Sequence, residues 1–258
     1  MISSGPYATV ARDLAGTAFR SIRYVEETAS TNADAADLLD DERFGGHTIV
    51  AEYQRHGVGR KGRVWLAPAG TALLCTTILP RSIATERLWV VPYWVALAVR
   101  ATLLDAGVKT MLQWPNDLLL RDRKVAGVLC QSSVIGGSAR VACGVGINVR
   151  RPGADPAIDP PPAFCDDVTA VERPALLRGL LVQYDARLFM LDDAERIRFE
   201  WDEAAELPGR PYRIVLDGES GSFEAIAEGL AAGGGLCVRR EDGRLETVGL
   251  ADARVLRG

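Results

Sequence analysis

Residues 54–65, QRHGVGRKGRVW, concentrate the residue types that handle anions. Three glycines (57, 59 and 62) are interleaved with four cations, Arg55, Arg60, Lys61 and Arg63. Glycine lets backbone amides approach an anion closely. Arginine adds a rigid fork that matches phosphate or carboxylate. The segment therefore reads as an oxyanion cradle, set against the plainer alternative of a solvated basic turn. It is not a Walker A loop, because no Gly-Lys-Ser/Thr follows and no helix opens behind it.

Residues 113–127, QWPNDLLLRDRKVAG, put Asn116 and Asp117 in a Pro-Asn-Asp turn ahead of Lys124, which opens an apolar run. A lysine anchored there can neutralise a carboxylate or phosphate; a snorkelling surface lysine is the alternative. Ser30-Thr31-Asn32 offers two hydroxyls and an amide to a small polar ring, and the same residues make good helix caps. Gly144-Val145-Gly146 lies inside a strand-like run, where such spacing marks close packing or a bulge.

The background to these segments is an ordinary globular chain of 258 residues, 48% hydrophobic and 25% charged, long enough for one large domain and a small one. A net charge of -4 gives no chain-wide basic footprint, so no nucleic-acid partner is expected. Five scattered cysteines without a CxxC argue against a disulfide framework or zinc site. Only His47 and His56 are available for a histidine-based triad. The first 14 residues lack a signal-peptide pattern. The longest apolar run, 88–99, is too short to span a membrane and contains Pro92. A cytoplasmic protein with no membrane partner is expected.

Positioning these residues requires a regular framework. Alternation predicts a strand over 22–26, then a helix over 32–40 capped by Ser30 or Thr31, with Ala35, Leu38 and Leu39 inward. Strands follow at 48–53 and 71–79. A long apolar helix is predicted from 85 to 105, stopped by Gly107, with Pro92 breaking or kinking its first turns. A hairpin over 111–120 and two strands over 124–133 and 139–149 complete a sheet. The proline-rich stretch 151–167 is a candidate mobile loop. Residues 172–191 predict an amphipathic helix with Leu176, Leu177, Leu180 and Leu188 on one face. After Leu207-Pro208-Gly209, five short strands (212–216, 223–230, 236–240, 246–250, 254–256) suggest a small barrel. The fold class is α+β, divided into an N-terminal extension (1–20), a main domain (21–206) and a small all-β domain (207–258).

Taken in order, ETASTNADAADLL, AEYQRHGVGRKGRVWLAP, QWPNDLLLRDRKVAGVL and GVGINV, followed by a barrel ending in ARVLR, resemble the biotin protein ligase family over about residues 20–256. The resemblance implies a class II aminoacyl-tRNA synthetase-like catalytic domain, with a mixed sheet flanked by helices, and an SH3-like C-terminal barrel. It implies that biotin and ATP, with Mg2+, give biotinyl-5′-AMP and pyrophosphate. Biotin then passes to a lysine of a biotin carboxyl carrier protein, or of the corresponding domain of an acetyl-CoA or propionyl-CoA carboxylase.

By position, Ser30, Thr31, Asn32 and Gln54 would hold the biotin head group, and the loop with Gly57, Val58, Gly59 and Arg60 would close over it. Arg60 would touch the adenylate phosphate, and Arg63 would bind the ATP phosphates. Lys124 would sit between the biotin carboxylate and the α-phosphate, so Lys124 and Arg60 are the expected catalytic residues. Asn116 and Asn148 would lie near the nucleotide, Trp65 would support the loop, and Asp117 is the candidate magnesium ligand.

Three features depart from the family pattern. Val58 stands where an arginine is usual, and Arg55 or Lys61 is the candidate to compensate. Gln113 stands where lysine is frequent. The 20 residues before the first strand are too few for a helix-turn-helix, so repressor activity is not expected. The nearest rivals are a lipoate ligase or an octanoyl transferase, the latter needing an activated cysteine. A catalytically degenerate binding protein is a further rival, supported by Val58 and Gln113 alone. Exposed edges of such a sheet can pair two subunits, so a homodimer is among the expectations.

Overall fold

The β-branched and apolar runs assemble into two sheets in the computed structural model, which describes residues 5–153, 158–217, 221–250 and 253–256. The larger holds β1 (Ser21–Thr28), β2 (His47–Gln54), β3 (Ala72–Ile78), β4 (Ile83–Ala84), β5 (Met111–Gln113), β6 (Asp117–Leu120), β7 (Arg123–Ile135) and β8 (Ser138–Asn148). Their order is β1-β2-β3-β8-β7-β6-β5, with β4 against the end of β8. Only β1 and β2 pair in parallel among the described strands, so the sheet is mixed, as expected.

Every residue of β3 is buried, because the sheet is covered on both faces. The period of two sends Leu73 and Cys75 into the main core. It sends Ile78 into a small cluster with Ala35, Leu39, Ile49 and Ala142 beneath α2 (Thr31–Ala36). The main-core face is covered by α3 (Val90–Asp105) and α4 (Arg173–Arg187).

Pro92 does not break α3. The α-helix begins at Val90, after a 3-10 turn at Thr85–Arg87, so Pro92 falls in the first turn, where amides have no intrahelical acceptor. Gly107 ends the helix as predicted: its φ is 82°, and Val108 N–H donates back to the Leu103 carbonyl at 2.8 Å.

Four local readings are corrected. The helix predicted over 32–40 ends at Ala36, although Leu39 stays buried. Ser30 occupies its N-cap position but makes no capping bond. Part of the presumed extension forms α1 (Ala8–Asp13), and Tyr7, Val10, Leu14 and Phe19 enter the main core. A six-residue helix is too short to show a period in sequence. The helix predicted over 172–191 stops at Arg187, and a 3-10 turn leads to a further helix, α5 (Ala194–Ala204). Charged neighbours mask the signal of α5, yet Asp193 caps it by accepting from Arg196 N–H, and Ile197, Trp201 and Ala204 are buried at helical spacing.

The five C-terminal strands form as an antiparallel sheet: β9 (Arg210–Leu216), β10 (Phe223–Leu230), β11 (Leu236–Arg240), β12 (Leu245–Val248) and β13 (Ala253–Leu256), in the order β12-β11-β10-β9-β13. Among the described residues β12 and β13 do not pair. This sheet is sutured to the larger one. Trp201 of α5 packs edge-on against Tyr93 of α3 at 4.7 Å between ring centroids. The Tyr93 hydroxyl donates to the Gly234 carbonyl and accepts from the Trp114 indole N–H at 3.1 Å. Among the described residues, no helix is long and apolar enough to cross a membrane.

Since Leu14 is 1% exposed and packs into the main core, Leu14→Ala should destabilise the protein by about 2–5 kcal/mol, as buried leucine truncations do. Chemical denaturation reads this; an unchanged midpoint would mean that the N-terminal segment is dispensable.

Candidate functional site

A cavity of about 830 Å³ opens where α2, the 54–65 loop, the 114–117 turn and strands β7 and β8 converge. Its walls include Ser30, Thr31, Asn32, Gln54, Val58, Gly59, Arg60, Arg63, Trp65, Asn116, Asp117, Lys124 and Asn148, so segments far apart in sequence meet at one place. Gly57 stands behind the wall. A Cβ there would come within 2.5 Å of the Trp65 carbonyl, so its glycine serves the close approach of the loop's two arms.

One end of the cavity is a hydrogen-bonded cluster. Gln54 Oε1 accepts from Thr31 N–H at 2.8 Å, and Asn32 Nδ2 donates to the Leu129 carbonyl at 3.1 Å. Behind them lies Thr76, fully buried on β3, its hydroxyl 2.8 Å from Thr31 Oγ1 and 2.6 Å from Asn32 Oδ1. Thr76 lies outside the motif segments, and only the polar pair Thr76-Thr77 inside the apolar run 72–78 hinted at it; Leu129 ends the 113–129 segment, but the role of its carbonyl is set by the fold.

The floor consists of glycines. A Cβ at Gly144 would lie 2.1 Å from Asn32 Oδ1, and one at Gly146 would lie 2.7 Å from the Trp65 ring. At Gly127 it would meet the end of Lys124 at 2.9 Å and the Trp65 ring at 3.2 Å. The Gly-Val-Gly spacing is thus a close-packing device, as anticipated.

At the other end, Lys124 Nζ is 2.6 Å from Asp117 Oδ1 and 5.2 Å from the centroid of Trp65, a cation–π geometry. Asn116 Nδ2 donates to the Val128 carbonyl at 2.6 Å, and Asn148 Nδ2 to the Ala163 carbonyl at 3.2 Å. Asn116 Oδ1 and the Trp65 indole N–H are buried without a partner among the described residues. Asp117 Oδ1 is paired with Lys124 Nζ, and among the described residues no three His, Cys, Asp or Glu side chains gather for a metal.

The 54–65 loop is a small hairpin. Val58 bridges Val64, Gly59 N–H donates to the Arg63 carbonyl at 2.6 Å, and Arg63 N–H closes the turn on Arg60 at 3.2 Å. Lys61 (φ 55°) and Gly62 (φ 70°) both adopt left-handed backbone, as a two-residue primed turn demands. The tip is tied to the C-terminal sheet: Arg60 donates to the Leu250 carbonyl, and Lys61 Nζ pairs with Asp217 at 2.6 Å. Burial pushes the Arg60 pKa down, yet a guanidinium keeps its charge. Arg55 pairs with Glu27 at 3.1 Å, so neither Arg55 nor Lys61 is held as a replacement for the cation absent at Val58.

The three buried thiols, Cys75, Cys143 and Cys165, do not supply a nucleophile. Burial pushes Cys75, on the cavity wall, up to about 12, Cys165 likewise to about 12, and Cys143 well above its usual value. A thiol raised in this way is inert at neutral pH.

A model of the biotin/lipoate A/B protein ligase family matches residues 24–148, the span that builds most of this cavity. A biotin–[acetyl-CoA-carboxylase] ligase of Paracoccus denitrificans is 30% identical over 228 residues, covering 84% of this chain and 93% of that protein. The chain belongs to the biotin/lipoate A/B protein ligase family. A second family member of that name, from Mycobacterium tuberculosis, is 29% identical over 236 residues, covering 87% of this chain and 85% of its own. Among solved structures, a biotin protein ligase from Aquifex aeolicus in complex with biotin and ATP superposes with a TM-score of 0.75 at 21% identity, covering 93% of this chain and 100% of that one. At that identity the likeness speaks for the fold.

The tie between loop and C-terminal sheet can be tested without altering the loop. Asp217→Asn removes the partner of Lys61 but keeps every tryptic site of the 54–65 segment. Loop cleavage by trypsin should accelerate about two- to five-fold, the range a half-exposed ion pair supports. Cleavage at the wild-type rate would show that the pair does not hold the loop.

Proposed function

We propose that the chain activates biotin with ATP to biotinyl-5′-AMP, releasing pyrophosphate, and then transfers biotin to a lysine of a carrier domain such as that of acetyl-CoA or propionyl-CoA carboxylase. The observation that carries this reading is one cavity with two chemically distinct ends. A neutral cluster of amides and hydroxyls (Ser30, Thr31, Asn32, Gln54) suits a polar ring. The cationic lining, with Lys124, Arg60 and Arg63, suits a carboxylate meeting a phosphate. The names of the related ligases and the inert thiols favour biotin activation over acyl transfer through cysteine.

In the first half-reaction a biotin carboxylate oxygen attacks the α-phosphate and pyrophosphate leaves. Both reactants are anions, so their approach needs positive charge in a space that excludes water. Lys124 is assigned to sit between them, its ammonium aimed by Asp117 at 2.6 Å and by the Trp65 ring. Arg60 is assigned to the adenylate phosphate and Arg63 to the ATP phosphates. The unpartnered Asn116 Oδ1 and Trp65 N–H, with Asn148, are assigned to the nucleotide. In the second half-reaction a neutral carrier amine attacks the anhydride carbonyl and AMP departs. The hairpin over Val58–Val64 would keep water from the anhydride until then.

The finer features of the fold rest on the resemblance: a class II aminoacyl-tRNA synthetase-like catalytic domain over 21–206, and closure of the C-terminal sheet into an SH3-like barrel over 207–258. A homodimer would use a free edge of the larger sheet. Mg2+ would arrive with ATP.

Biotin-dependent ATP–pyrophosphate exchange, followed by biotin transfer to a carboxyl carrier domain, tests the reading; lipoate-dependent exchange in its place would overturn it. Lys124→Ala should lower adenylate formation at least about 100-fold, since one aimed cation is worth ~3 kcal/mol at such a site. Near-normal synthesis by that variant would sink the assignment. Arg60→Gly should release biotinyl-AMP into solution faster than the wild type, read by rapid filtration; unchanged retention counts against its role.

A further inference from the structure

Cys130 of β7 and Cys143 of β8 stand directly opposite each other. The turn sets the kind of pair they form. Gly136-Gly137 joins the strands as a two-residue hairpin, so its closing pair, Ile135↔Ser138, exchanges backbone hydrogen bonds. Hydrogen-bonded and non-hydrogen-bonded pairs then alternate along the unbroken register, which makes Cys130↔Cys143 non-hydrogen-bonded. The flanking bonds agree: Val128 N–H donates to Asn116, away from β8, and the Val141 carbonyl accepts from Leu79, away from β7. A pair of this kind brings its Cα atoms to about 4.5 Å. A disulfide needs Cα atoms about 4.4–6.8 Å apart, so these two cysteines can be joined with little backbone movement. Cys75 cannot compete. Its partner on β8 is Val145, which leaves Cys143 diagonal to it at about 7–8 Å, beyond a relaxed bridge.

We propose that Cys130 and Cys143 are a reversible thiol-oxidation site for a small hydroperoxide, and that their disulfide loosens the seat of Asn32. Cys130 is the entry point. It is half-buried, and past Gly127 no strand among the described residues pairs with the outer edge of β7, whereas Cys143 is fully buried. The Cys130 thiolate attacks the near peroxide oxygen, the O–O bond breaks, and an alcohol or water leaves with a proton, giving a sulfenic acid. The Cys143 sulfur then attacks the sulfenyl sulfur, the S–O bond breaks, and the departing hydroxide takes the Cys143 proton as water. The two thiols lose two electrons and the hydroperoxide gains them. Cys143 is inert toward molecules outside the core, because burial and then the neighbouring Cys130 thiol hold its pKa well above the usual value. Proximity offsets this, since well-oriented intramolecular reactions reach effective molarities of about 10⁵ M or more.

The next pair along, Leu129↔Gly144, carries Asn32. The Leu129 carbonyl accepts from Asn32 Nδ2 at 3.1 Å, and a Cβ at Gly144 would lie 2.1 Å from Asn32 Oδ1. The thiols sit on the opposite face of the sheet, against the main core. A disulfide draws its two Cβ atoms to about 3.8 Å, and that movement passes through the backbone to a seat with no slack. The coupling to Asn32 rests on the biotin reading given above; the cross-link itself does not.

Trypsin separates the two cysteines at Arg140, placing Cys130 in 125–140 and Cys143 in 141–150. The native full chain is treated with hydrogen peroxide, free thiols are blocked, and the peptides are analysed by mass spectrometry. These two peptides should appear linked, and dithiothreitol should part them. By titration calorimetry the oxidised chain should bind biotin about three- to ten-fold more weakly, the worth of one distorted hydrogen bond, and dithiothreitol should restore the affinity. Cys130→Ala should bind biotin as the untreated wild type does, before and after peroxide. In Cys143→Ala the sulfenic acid has no partner, so dimedone should label Cys130 more heavily than in the wild type. Cys130→Ala carries the test should that core variant not fold.

No linked peptide, a link to Cys75 instead, or dimedone labelling that Cys143→Ala does not raise overturns the proposal. A link that leaves biotin affinity unchanged, or an equal loss in Cys130→Ala after peroxide, overturns the control of Asn32. A wild type that cross-links but binds no biotin in either state removes the functional reading and the coupling, and leaves the thiol site standing.

Discussion

Close approach of side chains to bare backbone is the constraint on which the site depends. Three glycines in β7 and β8 leave a strip of sheet without Cβ atoms, and Asn32, Trp65 and Lys124 settle onto it. A methyl group at Gly144 or Gly146 would occupy space already filled by an amide or an indole. Glycine in a strand interior weakens the strand. Here that cost is offset by the β7–β8 pairing, which runs from Ala126↔Ile147 to Ile135↔Ser138.

The charged end of the cavity follows a different logic. An isolated buried ammonium would be costly, and Lys124 is tolerated because Asp117 and the Trp65 ring accompany it. The same partners fix its direction. Asp117 is itself fixed by the tight turn before β6, where Asn116 donates to the Val128 carbonyl across the hairpin. The proline-containing turn, the carboxylate and the lysine therefore form one mechanical unit, although they are separated in sequence by the whole of β6.

The second sheet supplies part of the wall as well as mass behind it. Tyr93, Trp114 and Gly234 stitch it to the 114–117 turn, and Leu250 and Asp217 receive the tip of the glycine-arginine hairpin. The hairpin's own glue is modest: a Val58–Val64 bridge and a few backbone bonds. Valine at 58 removes a cation from the loop, but it supplies one half of that bridge. An exposed apolar pair is a weak hold, so the loop's position depends on contacts contributed from more than 150 residues away, such as that of Arg60 with the Leu250 carbonyl.

The sequence by itself determined the main strands of both sheets, though not β4, and the segments that line the cavity. Period-two apolar runs, glycine turns and the ordered segments around 30–32, 54–65, 113–127 and 144–148 are local signals, and local signals survive in a one-dimensional reading. It misjudged the short helix over 8–13 and the charged helix over 194–204, whose burial comes from packing rather than from a long apolar stripe. It also credited Ser30 and Thr31 with capping a helix, whereas the Thr31 hydroxyl lies between Gln54 and Thr76. Only the tertiary structure decided that Asp117 pairs with Lys124, that Arg55 and Lys61 are committed elsewhere, and that Thr76 stands behind the pocket. Each of these is a contact between residues distant in the chain, where a side chain's choice of partner depends on distance and direction, which composition and spacing do not encode.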